Sequence, residues 1–447
     1  MSFEDVNFKS NPNFHFKEVV VAKADALSAS YQFDCFKDKK GDVILIYGYF
    51  DETLAYEYNF YVSLFNLNTN QEVKALEKAK DRILSVRYFK DPYTEKDYLI
   101  AADKKSFVTV WDLSDNYNKI LEIELKYEGF IYNCLLMFEK ETMYAVASSI
   151  SSNNYTKVIE IQNKEVNKEP TVKEIQSSKD YNVYSMSYWY NKNAEKGKNH
   201  VIIQCGKSKV LLSEYPSNTT YHSIQISDKF PYISGSIVFK NGDKDLLGFS
   251  STYGYVAIFD LATKKQMFVW ETDEVHLYSF VKWNEQYLLL NDCLQRRIIV
   301  FDMKDNYKIK SKVLCPEMHF DKFIKKVEHP KYGESILSIG VDWKIKLFVN
   351  RNNFYSFLFS SFSFFSSSLF SSSLFIFSLF SSSLFISSLF SSSLIFSFLS
   401  LFSPSFLISL FFSSFCSSSS SLCISSLCIS SLLISSLCIS SLCISSC

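Results

Sequence analysis

A short β-rich segment ending in an aromatic and a polar residue recurs along the first 349 residues of the chain at a nearly fixed interval. Clear copies are Val108-Thr109-Val110-Trp111-Asp112, Val256-Ala257-Ile258-Phe259-Asp260 and Ile298-Ile299-Val300-Phe301-Asp302. The seven copies end at residues 66, 112, 162, 215, 260, 302 and 349, so successive spacings are 46, 50, 53, 45, 42 and 47. Each interval holds strand-like runs rich in β-branched and aromatic residues, separated by polar, Gly or Pro turns. In the second copy these runs are 83–89, 98–102, the Trp111 segment and 120–124. Helical periods are absent, and the second run of each copy is nearly all apolar, as a strand covered on both faces requires. Four strands per copy, seven times over, predict an all-β chain: a seven-bladed β-propeller of four-stranded antiparallel blades.

An open ring would leave two sheet edges exposed. The seventh copy supplies only three strands, over 323–328, 335–340 and 344–349, while the run Phe16-Lys17-Glu18-Val19-Val20-Val21 has no partner of its own. The N-terminal run is therefore expected to close the ring as the outer strand of the last blade.

Val110-Trp111-Asp112, Phe259-Asp260 and Phe301-Asp302 resemble the dipeptide that ends the third strand in WD-repeat proteins, and Gly340-Val341-Asp342 resembles that family's preceding turn. The text around His329-Pro330-Lys331-Tyr332 is similar to WD-repeat proteins of protists. The resemblance spans about residues 15–349 and implies structural roles for Trp111, Asp112, Asp260 and Asp302, with turn aspartates at Asp342 and Asp103. The Gly-His pair that opens a blade in the family is missing, so blades three and four are expected to rely more on apolar packing.

Composition divides the chain in two. The 47 basic and 47 acidic residues cancel and all lie at or before Arg351, making that part about 27% charged (94 of 351). A balanced charge removes the case for a nucleic-acid or anionic-membrane binder as a whole. Residues 352–447 carry no charge, and from about 354 the chain becomes Ser, Leu, Phe, Ile and Cys repeating every five residues, a period that builds no one-sided apolar surface. The organisation expected is an extension over 1–14, a propeller over 15–349 and a low-complexity tail over 350–447. Three readings of the tail compete: a simple repeat that is not part of the working protein, a structureless extension prone to aggregate, and a membrane anchor centred on 394–412. Five scattered Cys in the charged part (35, 134, 205, 293 and 315) form no C-x-x-C pair and are expected to be core thiols. The acidic start at Met1-Ser2-Phe3-Glu4-Asp5 lacks a signal-like apolar run, so a cytoplasmic or nuclear place is expected.

Motifs for phosphate loops, dinucleotide sites, nucleophile elbows and zincins are absent, and the six His are scattered. The expected function is that of a non-catalytic scaffold or adaptor without cofactor or metal, binding protein or peptide partners through turns on one rim. A membrane-tethered propeller and a hydrolase using the central channel are the alternatives. The rim joins the loops between second and third strands to those linking consecutive blades. In the first blade it offers Asp51, Tyr56 and Tyr58. Lys104, Lys105, Tyr127 and Tyr181 follow, then Tyr232, Tyr253 and His276, and finally Arg296, Arg297 and Trp343. Tyr, Trp and Arg dominate interface energies, which is why these positions are singled out.

Overall fold

A computed structural model describes residues 16–23, 32–52, 58–126, 129–140, 142–150, 156–161, 171–175, 182–195, 198–215, 219–273, 276–315, 318, 322–339 and 344–350. The tail readings concern residues outside that set. Within it, 28 strands form seven four-stranded antiparallel sheets. In the second sheet the chain runs outward through Ile83–Lys90, Asp97–Asp103, Phe107–Asp112 and Asn118–Glu124, as the repeat predicts. The remaining blades follow the same order, and the inner strands neighbour one another in sequence around the ring, that of blade seven lying beside that of blade one.

Closure occurs as expected. The strand Phe16–Lys23 lies antiparallel to Lys344–Asn350 on the outside of blade seven, with Phe16 opposite Asn350 and Val19 opposite Leu347. It extends two residues beyond the apolar run that announces it.

A blade is too thin to have an interior, so the buried apolar side chains collect between blades. Each of the seven seams has its own cluster. At the closing seam, Leu337, Ile345, Leu347 and Val349 of blade seven meet Val43, Leu45 and Tyr47 of blade one. Second strands such as His200–Gly206, buried at every position, face a neighbour on both sides, which explains their largely apolar text.

Polar bonds cross every seam. The Tyr88 N–H donates to Asp34 Oδ2 at 3.1 Å, linking blades one and two. Gln32 takes a hydrogen bond from Ser85 Oγ (2.7 Å) and gives one to Asn133 Oδ1 (2.8 Å), which joins blades two and three. Gln204 donates to Thr156 between blades three and four, and Ser236 pairs with Ser185 and Ser187 at 2.8 and 2.7 Å between blades four and five. Ser234 donates to the Leu277 carbonyl (2.7 Å), and Ser279 accepts from the Ile324 N–H (2.9 Å). Lys325 meets Asp34 at 3.1 Å and completes the circle. Buried polar groups must be paired, and pairing them across the seams fixes how the blades stack.

Blades two to six share a shift of register at the start of the inner strand. In blade five the shift lies between Ile233 and Gly235, and an added Cβ on Gly235 would stand 1.3 Å from the carbonyl oxygen of Tyr278 in blade six. Only glycine lets the two backbones approach so closely.

The aspartates that end third strands shape the turn after them. Asp112 Oδ1 accepts from the N–H groups of Ser114 and Asp115, Asp260 Oδ1 from those of Ala262 and Thr263, and Asp302 Oδ1 from that of Lys304. Asn66 does the same in blade one, accepting from Asn68 and Thr69. Such side-chain turns are a general property of Asp and Asn. Trp111 is buried in the seam between blades one and two.

Asp103 holds the turn between the second and third strands of blade two. It accepts from Phe107 N–H at 2.9 Å and Asp81 N–H at 3.2 Å, and burial raises its carboxyl pKa to about 6. Asp292 serves in the same place in blade six, fully buried and bonded to the Gln295 N–H and to Arg297 Nε at 2.9 Å. The sequence reading passes over Asp292 because its turn is one residue longer. Asp342 lies outside the described residues.

A candidate partner-binding recess on one rim

Inner strands of blades three to six begin with a short motif, Ile131-Tyr132-Asn133, Val183-Tyr184-Ser185, Ile233-Ser234-Gly235 and Leu277-Tyr278-Ser279. The first residue is buried in a seam, and the second falls in the register shift, where alternation between the two neighbouring seams is interrupted. Tyr132, Tyr184, Ser234 and Tyr278 thereby line a recess of about 340 Å³ at the rim that carries the loops between second and third strands. Tyr232, Thr252, Tyr253, His276, Lys322 and Phe323 complete its wall from the adjoining loops.

The rings are arranged edge to face and offset. Tyr184 meets Tyr232 at 5.1 Å between centroids and 90° between planes, and Tyr232 meets Tyr253 at 5.9 Å and 36°. His276 stacks on Tyr278 at 6.1 Å, with Nδ1 3.3 Å from the Tyr278 hydroxyl. The Lys322 ammonium lies over the Tyr278 ring, 5.4 Å from its centroid. Burial raises the Tyr184 phenol pKa and pushes that of Tyr278 up to about 12, so both rings remain neutral. Tyr232 and Tyr253 are still 38% and 47% exposed, which leaves ring surface available to a ligand.

Tyr232 and His276 occupy equivalent places, each just ahead of an inner strand, and both have φ of 66°. Aromatic residues rarely adopt this left-handed backbone. Both carbonyls are bonded: that of Tyr232 accepts from Thr252 N–H at 3.2 Å and that of His276 from Cys293 N–H at 3.2 Å. In blade two, Arg82 accepts from Lys104 N–H in the same way. The geometry projects a large side chain where the chain would more easily accept Gly or Asn.

Of the positions singled out from sequence, Tyr232, Tyr253 and His276 come together in the recess. Lys104 and Lys105 form an exposed turn of blade two and are not among the residues that line it. Arg296 is exposed on blade six with φ of 52°, while Arg297 directs its guanidinium to buried Asp292. Asp51 and Tyr58 pair with Asn59 and Glu52 across the second and third strands of blade one, described by backbone alone. Tyr56, Tyr127, Tyr181 and Trp343 lie outside the described residues. Sequence reasoning missed Tyr132, Tyr184, Tyr278, Lys322 and Phe323. For the three tyrosines the signal was a Tyr recurring near the start of inner strands, at the register shift; Lys322 and Phe323 just precede the inner strand of blade seven and carried no such mark.

Among the described residues no group of three or more His, Cys, Asp and Glu could hold a metal ion. The five described cysteines are free thiols, and burial raises Cys134 to about 11 and Cys35 and Cys205 to about 12. Four are buried core residues, and Cys35 is half-buried against the closing seam.

Solved structures share this architecture. The β-propeller domain of Myceliophteria thermophila Cps50 (Swd1) aligns over 74% of this chain and 99% of its own, with a TM-score of 0.55 and 12% identity. The chain has the seven-bladed fold of WD-repeat propellers. A chain from a mitotic checkpoint complex aligns over 78% of this chain and 95% of its own, with a TM-score of 0.54 and 9% identity. No family model and no curated protein matches the sequence. At such identities the likeness concerns the fold, and the WD-type propeller leaves the particular function to its rim side chains.

Proposed function

We propose that this WD-type propeller is a non-catalytic interaction scaffold whose partner docks in the tyrosine-lined recess. One observation carries the reading: Tyr232 and His276, on adjacent blades, hold the same unfavourable backbone conformation and present aromatic groups to one recess. Backbone strain concentrates where it serves binding, and tyrosine is among the residue types that anchor interfaces. Seven stitched seams would keep the recess rigid, which lowers the ordering cost of association.

The test is affinity capture with the full chain, comparing wild type with Tyr232→Asn, Tyr253→Ala and a Lys104→Ala/Lys105→Ala control. Asn tolerates the left-handed backbone, so Tyr232→Asn should keep its Tm within a few degrees. The two recess variants are expected to lose a partner that the lysine control retains. Retention of every partner by both recess variants would refute the proposal.

A further inference from the structure

We infer that the groove between blades one and two is a second docking site, which takes an aromatic side chain flanked by a carboxylate from an extended segment of a partner protein. It goes beyond the rim recess and shares no lining residue with it. The chain holds its own template for such a contact. The turns between third and fourth strands of blades two and six carry the same text, Asp115-Asn116-Tyr117 and Asp305-Asn306-Tyr307. They share a backbone as well, with φ of 48° and 62° at Asn116 and Tyr117 and of 48° and 60° at Asn306 and Tyr307. Each tyrosine packs in the seam with the preceding blade. Strand pairing sets the correspondence: Phe268 lies opposite Ile258 and Lys74 opposite Leu64, each beside the bulge of an outer strand, so the two hold the same place in blades five and one. Phe301 and Trp111 correspond in the same way in blades six and two. In the seam of blades five and six, the Phe268 ring stands 5.8 Å from both Phe301 and Tyr307, and Trp270 stands 5.9 Å from Phe301. In the seam of blades one and two, Lys74 and Leu76 take the places of Phe268 and Trp270. The Lys74 ammonium reaches over Tyr117, 4.6 Å from its centroid, and a groove of about 540 Å³ remains, lined by Tyr61, Leu76, Trp111 and Tyr117. Ligand pockets span about 300–1,000 Å³. A ring entering there meets Trp111 and Tyr117 as Phe268 meets their counterparts, and such ring pairs attract beyond the area they bury. The charged lining is Lys74, Lys78 and Lys119 against Glu77 and Asp115, and Lys119 is held by Glu77 at 2.5 Å. Two lysines thus stand against one aspartate, which favours a carboxylate beside the incoming ring and disfavours another cation.

The experiment is panning of a random heptapeptide phage library on the full chain carrying Tyr232→Asn/Tyr253→Ala, so that the rim recess captures nothing. Recovered peptides are expected to hold Phe, Tyr or Trp beside Asp or Glu. A synthetic peptide of the recovered sequence should lose about tenfold in affinity when its aromatic residue is replaced by Ala. It should bind about tenfold more weakly when Lys74→Phe is added to the chain, since that ring rebuilds the filled seam of blades five and six. Lys74→Phe should melt no lower than its parent. Lys78→Glu, at an exposed position, should weaken binding about twofold to fivefold and tests the groove even if Lys74→Phe fails to fold. Recovery of peptides without an aromatic residue, enrichment of Lys or Arg beside it, or unchanged binding to folded Lys74→Phe or to Lys78→Glu would each overturn the inference. None of these outcomes touches the rim recess, whose own test is the affinity capture with Tyr232→Asn and Tyr253→Ala.

Discussion

Single residues set the tolerances of this ring. Gly235 has the tightest: a Cβ there would collide with the Tyr278 carbonyl, a backbone atom that can move only if blades five and six separate. Gly235→Ala is expected to destabilise the fold by about 3 kcal/mol or more, the upper range for overpacking, measured by urea unfolding. Gly41→Ala is a control for backbone conformation alone, since Gly41 has φ of 85° but no atom within 4 Å of an added Cβ. Asp103 gives a titration with a defined sign. Burial raises its folded pKa to about 6, above the ordinary carboxyl value, so the native state binds a proton more tightly than the unfolded chain. Its contribution is fully present below about pH 4 and declines as pH rises through 6. Melting curves between pH 4 and 7 should therefore show a smaller fall with rising pH in Asp103→Asn than in wild type. An identical slope would mean that the carboxyl is not buried as described. Asp103, Asp112, Asp260 and Asp302 were legible only through the resemblance to WD repeats, where a short acceptor at a fixed place in a turn leaves a mark in the text. Gly235 was not, since its constraint comes from a blade that begins some forty residues later.

At the scale of elements, every strand that carries the repeat was legible, because strand text follows from burial on two faces and turns require particular residues. The N-terminal strand was legible by elimination, as an apolar run with no partner beside a blade lacking a fourth strand. Removing residues 1–23 should leave Lys344–Asn350 as an open edge. The expected result is a lower Tm and faster hydrogen exchange at 335–349, with much smaller changes in blades three to five, since repeat stability is transmitted mainly between neighbours. Uniform exchange rates across all blades would contradict this. What the element scale concealed was the recess. Its tyrosines belong to four different blades, and each of them, taken alone, reads as an ordinary strand or turn residue.

For the whole molecule, closure makes first and last strands neighbours, with Phe16 opposite Asn350. A circular permutant that joins these ends by a short Gly-Ser linker and opens at 196–197 should fold to a propeller with Tm within a few degrees of the parent, as read by circular dichroism and melting. Opening between Ser279 and Phe280, inside an inner strand whose neighbours cross two seams, should abolish cooperative unfolding. A folded product from the second opening would show that inner strands are dispensable. The sequence by itself determined the blade count, the four-strand unit and the closing strand, because each depends on alternation or spacing. Only the tertiary structure decided which aromatic side chains share a recess, which arginine is held by Asp292, and how the polar groups of successive blades pair across the seams. Those outcomes depend on distances between segments tens of residues apart, set by the twist and stacking of complete blades, and no local pattern encodes them.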